Sequence, residues 1–93
     1  MIANFKDADA GELYLTGKSR RIPPNVQRVA LRKLKILNNA ADLNDLRVPP
    51  GNRLESLGGT RKGQHSIRIN DQYRICFVWK NAQFHDVEIV DYH

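Results

Sequence analysis

From Gly63 onward the sequence settles into a period of two. His65 to Ile69, Tyr73 to Trp79 and Phe84 to Val90 are runs rich in Ile, Val, Phe, Tyr and Trp, parted by polar turns at Asn70-Asp71-Gln72 and Lys80 to Gln83. Runs of that composition at that spacing specify an antiparallel meander. A meander needs one face covered, so the preceding residues must supply the cover. Phase within the runs assigns the faces. Tyr73, Ile75, Phe77 and Trp79 share one side, and Arg74, Cys76 and Val78 the other. In the last run Val87, Ile89, Asp91 and His93 are in phase, and Tyr92 joins them only through a bulge or kink.

The cover is helical. Val26, Val29, Ala30, Leu34, Leu37 and Ala41 recur at helical spacing, with Pro24 suited to the first turn. Arg28, Arg32 and Lys35 follow on a different face. Asn38-Asn39 weakens this helix, Ala40 to Leu46 is a candidate further piece, and Pro49-Pro50-Gly51-Asn52 is expected to end helical structure. Upstream, Asp7 can cap a helix over Ala8 to Thr16, with Gly17 at its exit. Ile2 to Phe5 is a candidate edge strand and Arg53 to Leu57 another strand. Lys18 to Ile22 and Gly58 to Gly63 read as basic loops. The fold expected is α+β, one domain over residues 1–93, with the long helix packed on one sheet face.

At 93 residues the chain can bury one modest core, and 41% apolar residues argue against disorder of the whole. The lone Cys76, inside an apolar strand, reads as a core residue in a reducing compartment. No stretch approaches a membrane span, and Met1-Ile2-Ala3-Asn4-Phe5 is unlike a secretory signal, so a cytoplasmic protein is expected. The net charge of +5 is unevenly spread. No acid occurs between Glu12 and Asp42, where Lys18, Arg20, Arg21, Arg28, Arg32, Lys33 and Lys35 all fall. A one-sided basic surface favours a polyanion such as nucleic acid, although a solvated helix face reads the same way.

The three histidines are scattered and no cysteine pair exists, so metal-ligand spacing is missing. Phosphate-loop, dinucleotide and nucleophile-elbow motifs are missing too. What remains suits phosphodiester cleavage without a metal or cofactor. Cleavage of RNA needs a base for the 2′-OH, a cation against the phosphorane and an acid for the departing oxygen. Arg74 and Arg68 can supply phosphate contacts. Asp91, His93 or Glu55 can move protons, and Tyr92 can donate or stack. Plainer readings stand beside these. Arg74 can pair with Asp71 at the surface, Glu55 can be the polar side of an edge strand, and Tyr92 can simply pack. His93 can be a solvent-exposed tail and Arg61-Lys62 a solvated loop. His65, in phase with Ile67 and Ile69, reads as a satisfied half-buried histidine.

The run from Arg61 to Phe77, with Val87-Glu88-Ile89-Val90-Asp91-Tyr92-His93, resembles HigB-type toxins of the RelE/ParE superfamily. Pro49-Pro50-Gly51-Asn52-Arg53-Leu54-Glu55 is similar to the GraT-like subgroup. The resemblance implies helices on a small, mainly antiparallel sheet. It also implies an endoribonuclease that cuts mRNA in the A site of the 70S ribosome, leaving a 2′,3′-cyclic phosphate and a 5′-hydroxyl. A helix-turn-helix antitoxin of the HigA or GraA kind would neutralise it, and the complex would act on operator DNA. Arg74 falls on the family's phosphate-binding arginine, and Asp91, Tyr92 and His93 on its catalytic residues. Lys18, Arg20, Arg21, Arg28, Arg32, Lys35, Arg61, Lys62 and Arg68 are the expected RNA and ribosome contacts. Glu55 and Gly58 stand where many such toxins have His and Lys. A carboxylate can replace the imidazole as base, but as a neutral-pH acid only if its pKa rises. Two other readings remain open at this point: a gyrase inhibitor in the manner of ParE relatives, and a regulatory module active only with an antitoxin.

Overall fold

The computed structural model describes residues 1–91; Tyr92 and His93 lie outside the described residues. Helix α1 spans Ala8–Thr16 and helix α2 Pro24–Asn39. Among the described residues four strands follow: β1 (Glu55–Ser56), β2 (His65–Arg68), β3 (Tyr73–Lys80) and β4 (Gln83–Asp91). They form one antiparallel sheet in the order β1-β2-β3-β4.

Local chemistry sets the helix ends. The Asp7 carboxylate accepts the Asp9 N–H at 2.9 Å, and Gly17, at φ 82°, donates its N–H to Leu13 O at 2.8 Å. Pro24 occupies the first turn of α2, where its missing N–H costs nothing. The loop before it is tied down by Gln27, whose Nε2 donates to Ser19 O at 2.8 Å and Ile22 O at 2.7 Å. The core lies between the helices and one sheet face. Leu13, Val26, Ala30, Leu34 and Leu37 meet Ile67, Ile75, Phe77, Phe84 and Val87 there, all buried.

Two positive φ values, 52° at Asn81 and 60° at Ala82, turn β3 into β4 in the geometry favoured by two-residue hairpins. Farther along, Asp86 (φ 51°) and Val87 together face Phe77. This bulge explains why Phe84 and Val87, three residues apart, can both enter the core. Beyond it Ile89 pairs with Ile75 and Asp91 with Tyr73, as phase required.

Several details depart from the sequence reading. Ala40, not Ala41, is buried, because α2 stops at Asn39 and breaks the helical spacing. The Ala40 to Leu46 piece is instead a 3-10 helix at Leu43–Arg47, started by an Asp42–Asp45 capping box. Pro50–Asn52 forms a 3-10 turn rather than a full stop, since Pro50 at the first position needs no donor. Of Arg53 to Leu57 only Glu55–Ser56 is strand, because Arg53 turns through φ 44°. Gly59–Arg61 makes a further 3-10 turn inside the expected loop. Ile2 to Phe5 runs along β4 in parallel, with isolated bridges among the described residues at Ile2–Phe84 and Phe5–Val87. The Asp86 bulge interrupts the ladder there, and Asn4 Oδ1 takes the Asp86 N–H at 3.1 Å.

Candidate functional site

The second sheet face carries the polar chemistry. Glu55, Ser66, Cys76 and Glu88 lie opposite one another on successive strands, so one row crosses the sheet. At about 4.8 Å per strand its two carboxylates start roughly 14 Å apart. The neighbouring row holds Arg68, Arg74 and Val90. Like charges directly opposite repel. Each arginine is therefore answered: Arg68 pairs with Asp71 across the turn, and Arg74 reaches Glu55 at 3.8 Å. The Asp71 carboxylate thus belongs to Arg68, and the alternative pairing of Arg74 with Asp71 is not formed.

Arg74 is held more firmly than a surface arginine. Its Nε–H donates to Ser66 Oγ at 2.7 Å and its Nη2 donates to Arg53 O at 2.7 Å. The side chain is 11% exposed, and Ser66 beneath it is fully buried. Charge-assisted bonds to two separate elements fix the plane of the guanidinium. The left-handed turn at Arg53 presents its carbonyl to Nη2.

Beside this lies a second charged group. Glu88, 15% exposed, accepts from Arg61 Nη1 at 3.3 Å and pairs with Lys6 at 3.5 Å. Buried Cys76 separates the two groups. Burial pushes its thiol pKa up, against the opposing Arg61 charge, so it is not poised as a nucleophile.

Asp91 does not share the face of Arg74. It sits opposite Tyr73, in phase with Ile89 and Ile75, and its Oδ2 accepts from Gln72 Nε2 at 3.1 Å. The two residues do share an end of the sheet: Arg68 closes β2, Arg74 is the second residue of β3, and Asp91 closes the described part of β4. The positions of Tyr92 and His93 lie outside the described residues.

Of the remaining basic residues, Lys18, Arg20, Arg21, Arg28, Arg32, Lys35 and Lys62 are exposed, and Arg61 and Arg68 are half-buried. Arg28 and Arg32 line an open cleft with Val29 on α2. Lys33, by contrast, is buried at 6% exposure. His65 stacks on Phe77 with centroids 6.2 Å apart, but its buried Nδ1 finds no hydrogen-bond partner among the described residues, so the expectation of a satisfied histidine is not met at that atom. Among the described residues no three His, Cys, Asp or Glu side chains are grouped as metal ligands, and no helix is long and apolar enough to cross a membrane.

Sequence reasoning missed Ser66, the Arg53 carbonyl and the Lys6–Glu88–Arg61 group. Ser66 was legible in principle, since it precedes Arg68 by two and must share its face. Nothing local announces that a carbonyl at position 53 will meet Arg74.

Two helices packed over one face of a short antiparallel sheet are consistent with the α+β fold of a RelE-like toxin. Residues 3–93 match the family described as RelE-like toxin of type II toxin-antitoxin system HigB. The chain is 46% identical to Toxin HigB-1 of Vibrio cholerae serotype O1 over 80 residues, 85% of this chain and 84% of that one. It is 34% identical over 85 residues to an uncharacterized protein of Haemophilus influenzae, covering 90% of this chain and 84% of the relative. The chain belongs to the HigB-like toxin family. As the toxin of a type II system, it implies an antitoxin partner.

Proposed function

We propose that this toxin is an endoribonuclease that cleaves mRNA in the A site of the 70S ribosome. The 2′-OH attacks the adjacent phosphorus, the P–O5′ bond breaks, and a 2′,3′-cyclic phosphate and a 5′-hydroxyl result. The observation that supports this most directly is Arg74, a guanidinium locked in orientation beside Arg68 at the end of the sheet. A fixed planar fork aimed at a phosphate favours the dianionic phosphorane over the monoanionic ground state, which is how such a group accelerates transfer. Asp91 and Glu55 are the carboxylates able to take the 2′-OH proton, and Tyr92 and His93 are assigned to protonation of the leaving oxygen and to stacking on the base. Metal ions and cofactors have no part in this scheme.

The exposed cations Lys18, Arg20, Arg21, Arg28, Arg32, Lys35 and Lys62 are suited to ribosomal RNA, with Arg61 and Arg68 nearer the message. The antitoxin is assigned to the helix-turn-helix type, with operator DNA bound through it, and the site of action is the cytoplasm. The test adds purified toxin to translating ribosomes carrying a defined message and maps the cut ends. Cleavage within the A-site codon, lost with R74M, is expected. An intact message at stoichiometric toxin would overturn the reading.

A further inference from the structure

Asn52 is fully buried in the 3-10 turn before β1, and its amide is saturated with partners. Oδ1 accepts from Lys33 Nζ of α2, while Nδ2 donates to Leu46 O at 3.2 Å and to Val48 O at 3.3 Å. The side chain therefore ties the whole 46–52 segment to the long helix.

Stability alone is a poor reason for this arrangement. Lys33 lies among Val26, Ala30, Leu34 and Leu37 as a buried residue of α2, where an aliphatic side chain would pack without losing a hydration shell. Burial, followed by the charges of Arg32 and Arg68, pushes its pKa down, so the folded protein bears a cost for keeping an ammonium there. A buried charge set against a neutral amide is seldom the most stable filling of a core position.

What the pair does hold is the start of the next segment. Arg53 follows Asn52 directly, turns through φ 44°, and offers its carbonyl to Arg74 Nη2 at 2.7 Å. That carbonyl and Ser66 Oγ are the two acceptors that set the guanidinium plane. Ser66 sits on a strand and is fixed by the ladder, whereas Arg53 belongs to a turn and needs an anchor of its own. We infer that Lys33 and Asn52 are positioning residues for Arg74: by fixing the Arg53 carbonyl from below, they hold the guanidinium in the orientation that meets a phosphate. Its consequence for catalysis rests on the ribonuclease reading above, while the geometric chain from Lys33 to Arg74 does not.

The test uses two variants and a readout that a general loss of packing would not mimic. K33M keeps the length and apolar stem of the side chain and deletes only the ammonium. N52D keeps the shape and the Lys33 contact, but turns a second oxygen toward the Leu46 and Val48 carbonyls. The Arg74 Nε–H resonance, identified by its loss in R74K, is followed by hydrogen exchange alongside the core amides of Ile75 and Phe77. In folded K33M or N52D the Arg74 Nε–H should exchange about tenfold faster while the core amides keep their protection. On ribosomes kcat for cleavage should fall by about the same factor with KM little changed, and K33R, which restores a donor, should recover most of it. Unchanged Nε–H exchange in whichever variant folds overturns the inference, as does a loss in which core and Arg74 protons move together. If wild-type toxin leaves the message intact, the ribonuclease reading fails, and the exchange measurement still decides the positioning role.

Discussion

Replacing Arg74 by lysine keeps the charge and removes the fork, so it isolates what the geometry contributes. Arginine reaches Ser66 Oγ and Arg53 O at 2.7 Å each, through nitrogens that point in different directions. A lysine ammonium can satisfy one of these acceptors but has no rigid plane that spans both. The lost bond involves a charged donor, and such bonds contribute about 1.5–3 kcal/mol. Arg53 is exposed, so water can replace a donor at its carbonyl, which favours the lower part of that range. The Glu55 pair adds little, since Glu55 is 54% exposed and the separation is 3.8 Å. A loss of about 1.5–2 kcal/mol, at about 4–8 °C per kcal/mol for a domain of this size, lowers Tm by roughly 6–16 °C. Thermal unfolding followed by circular dichroism reads that shift. Cleavage on ribosomes should fall by about ten- to a hundredfold, less than the 10²–10³ lost when an oxyanion donor is deleted outright, because the charge remains. An R74K protein with wild-type Tm would refute the two-acceptor clamp. Wild-type cleavage alongside a lowered Tm would refute the claim that the fork serves the phosphorane.

Four further outcomes follow from the same structure. Cys76 is fully buried with its thiol pKa pushed up by that burial, so iodoacetamide at neutral pH should modify the folded protein far more slowly than the urea-unfolded chain; comparable rates in a mass spectrum would contradict its placement. D7A removes the cap of α1 and should lower the urea midpoint by the equivalent of about 0.5–2 kcal/mol without altering the slope, and an unmoved midpoint would mean the cap is idle. Lys33 has a folded pKa below its ordinary 10.5, so between the two values the unfolded chain binds more protons and stability rises with pH. K33M should show less of that alkaline gain, and equal pH dependence of the two proteins would rule out a buried, charged Lys33. E55Q should change stability by less than about 1 kcal/mol, given how exposed Glu55 is, yet reduce cleavage if its carboxylate is the base; unchanged cleavage would leave that role to Asp91.

The elements were legible wherever a local rule decides them. Asp7 and Gly17 bracket α1, Pro24 opens α2, and the period-two runs give β2 to β4 almost to the residue. The departures came where a contact distant in sequence decides. Asp86 takes a positive φ because Phe84 and Val87 must both reach the core, a demand that comes from the helices rather than from strand propensity. Their odd spacing within a strand was a readable sign of a bulge. Lys33 looked like one more solvated cation in a basic run, although it stands seven residues after Val26 and four before Leu37 on the buried stripe; its partner Asn52, 19 residues away, was not legible. The site was legible as residue types and strand phases. It was not legible as contacts, because the partners of Arg74 come from a turn at Arg53 and a strand at Ser66.

The bulge also bears on where a message would lie. Had β4 kept regular pairing past His85 with no bulge at Asp86, Asp91 would fall opposite Gln72 and share the face of Arg74; with the bulge, Asp91 falls opposite Tyr73 on the helix-covered side. An RNA strand laid flat on the second face would meet Arg74, Arg68, Arg61 and Glu55, but Asp91 would be on the wrong side of the sheet. At the strand ends the distinction between faces loses its force, because a side chain there can reach past the last backbone pair. Arg68, Arg74 and Asp91 all sit at that end, and Gln72 on the β2–β3 turn holds the Asp91 carboxylate over it. If Arg74 and Asp91 act on one phosphodiester, the backbone of the message must therefore cross the end of the sheet, with its phosphate toward Arg74 and its 2′-OH toward Asp91. The long β3–β4 hairpin then extends away from the chemistry, and its distant turn at Asn81-Ala82 can vary without touching the site.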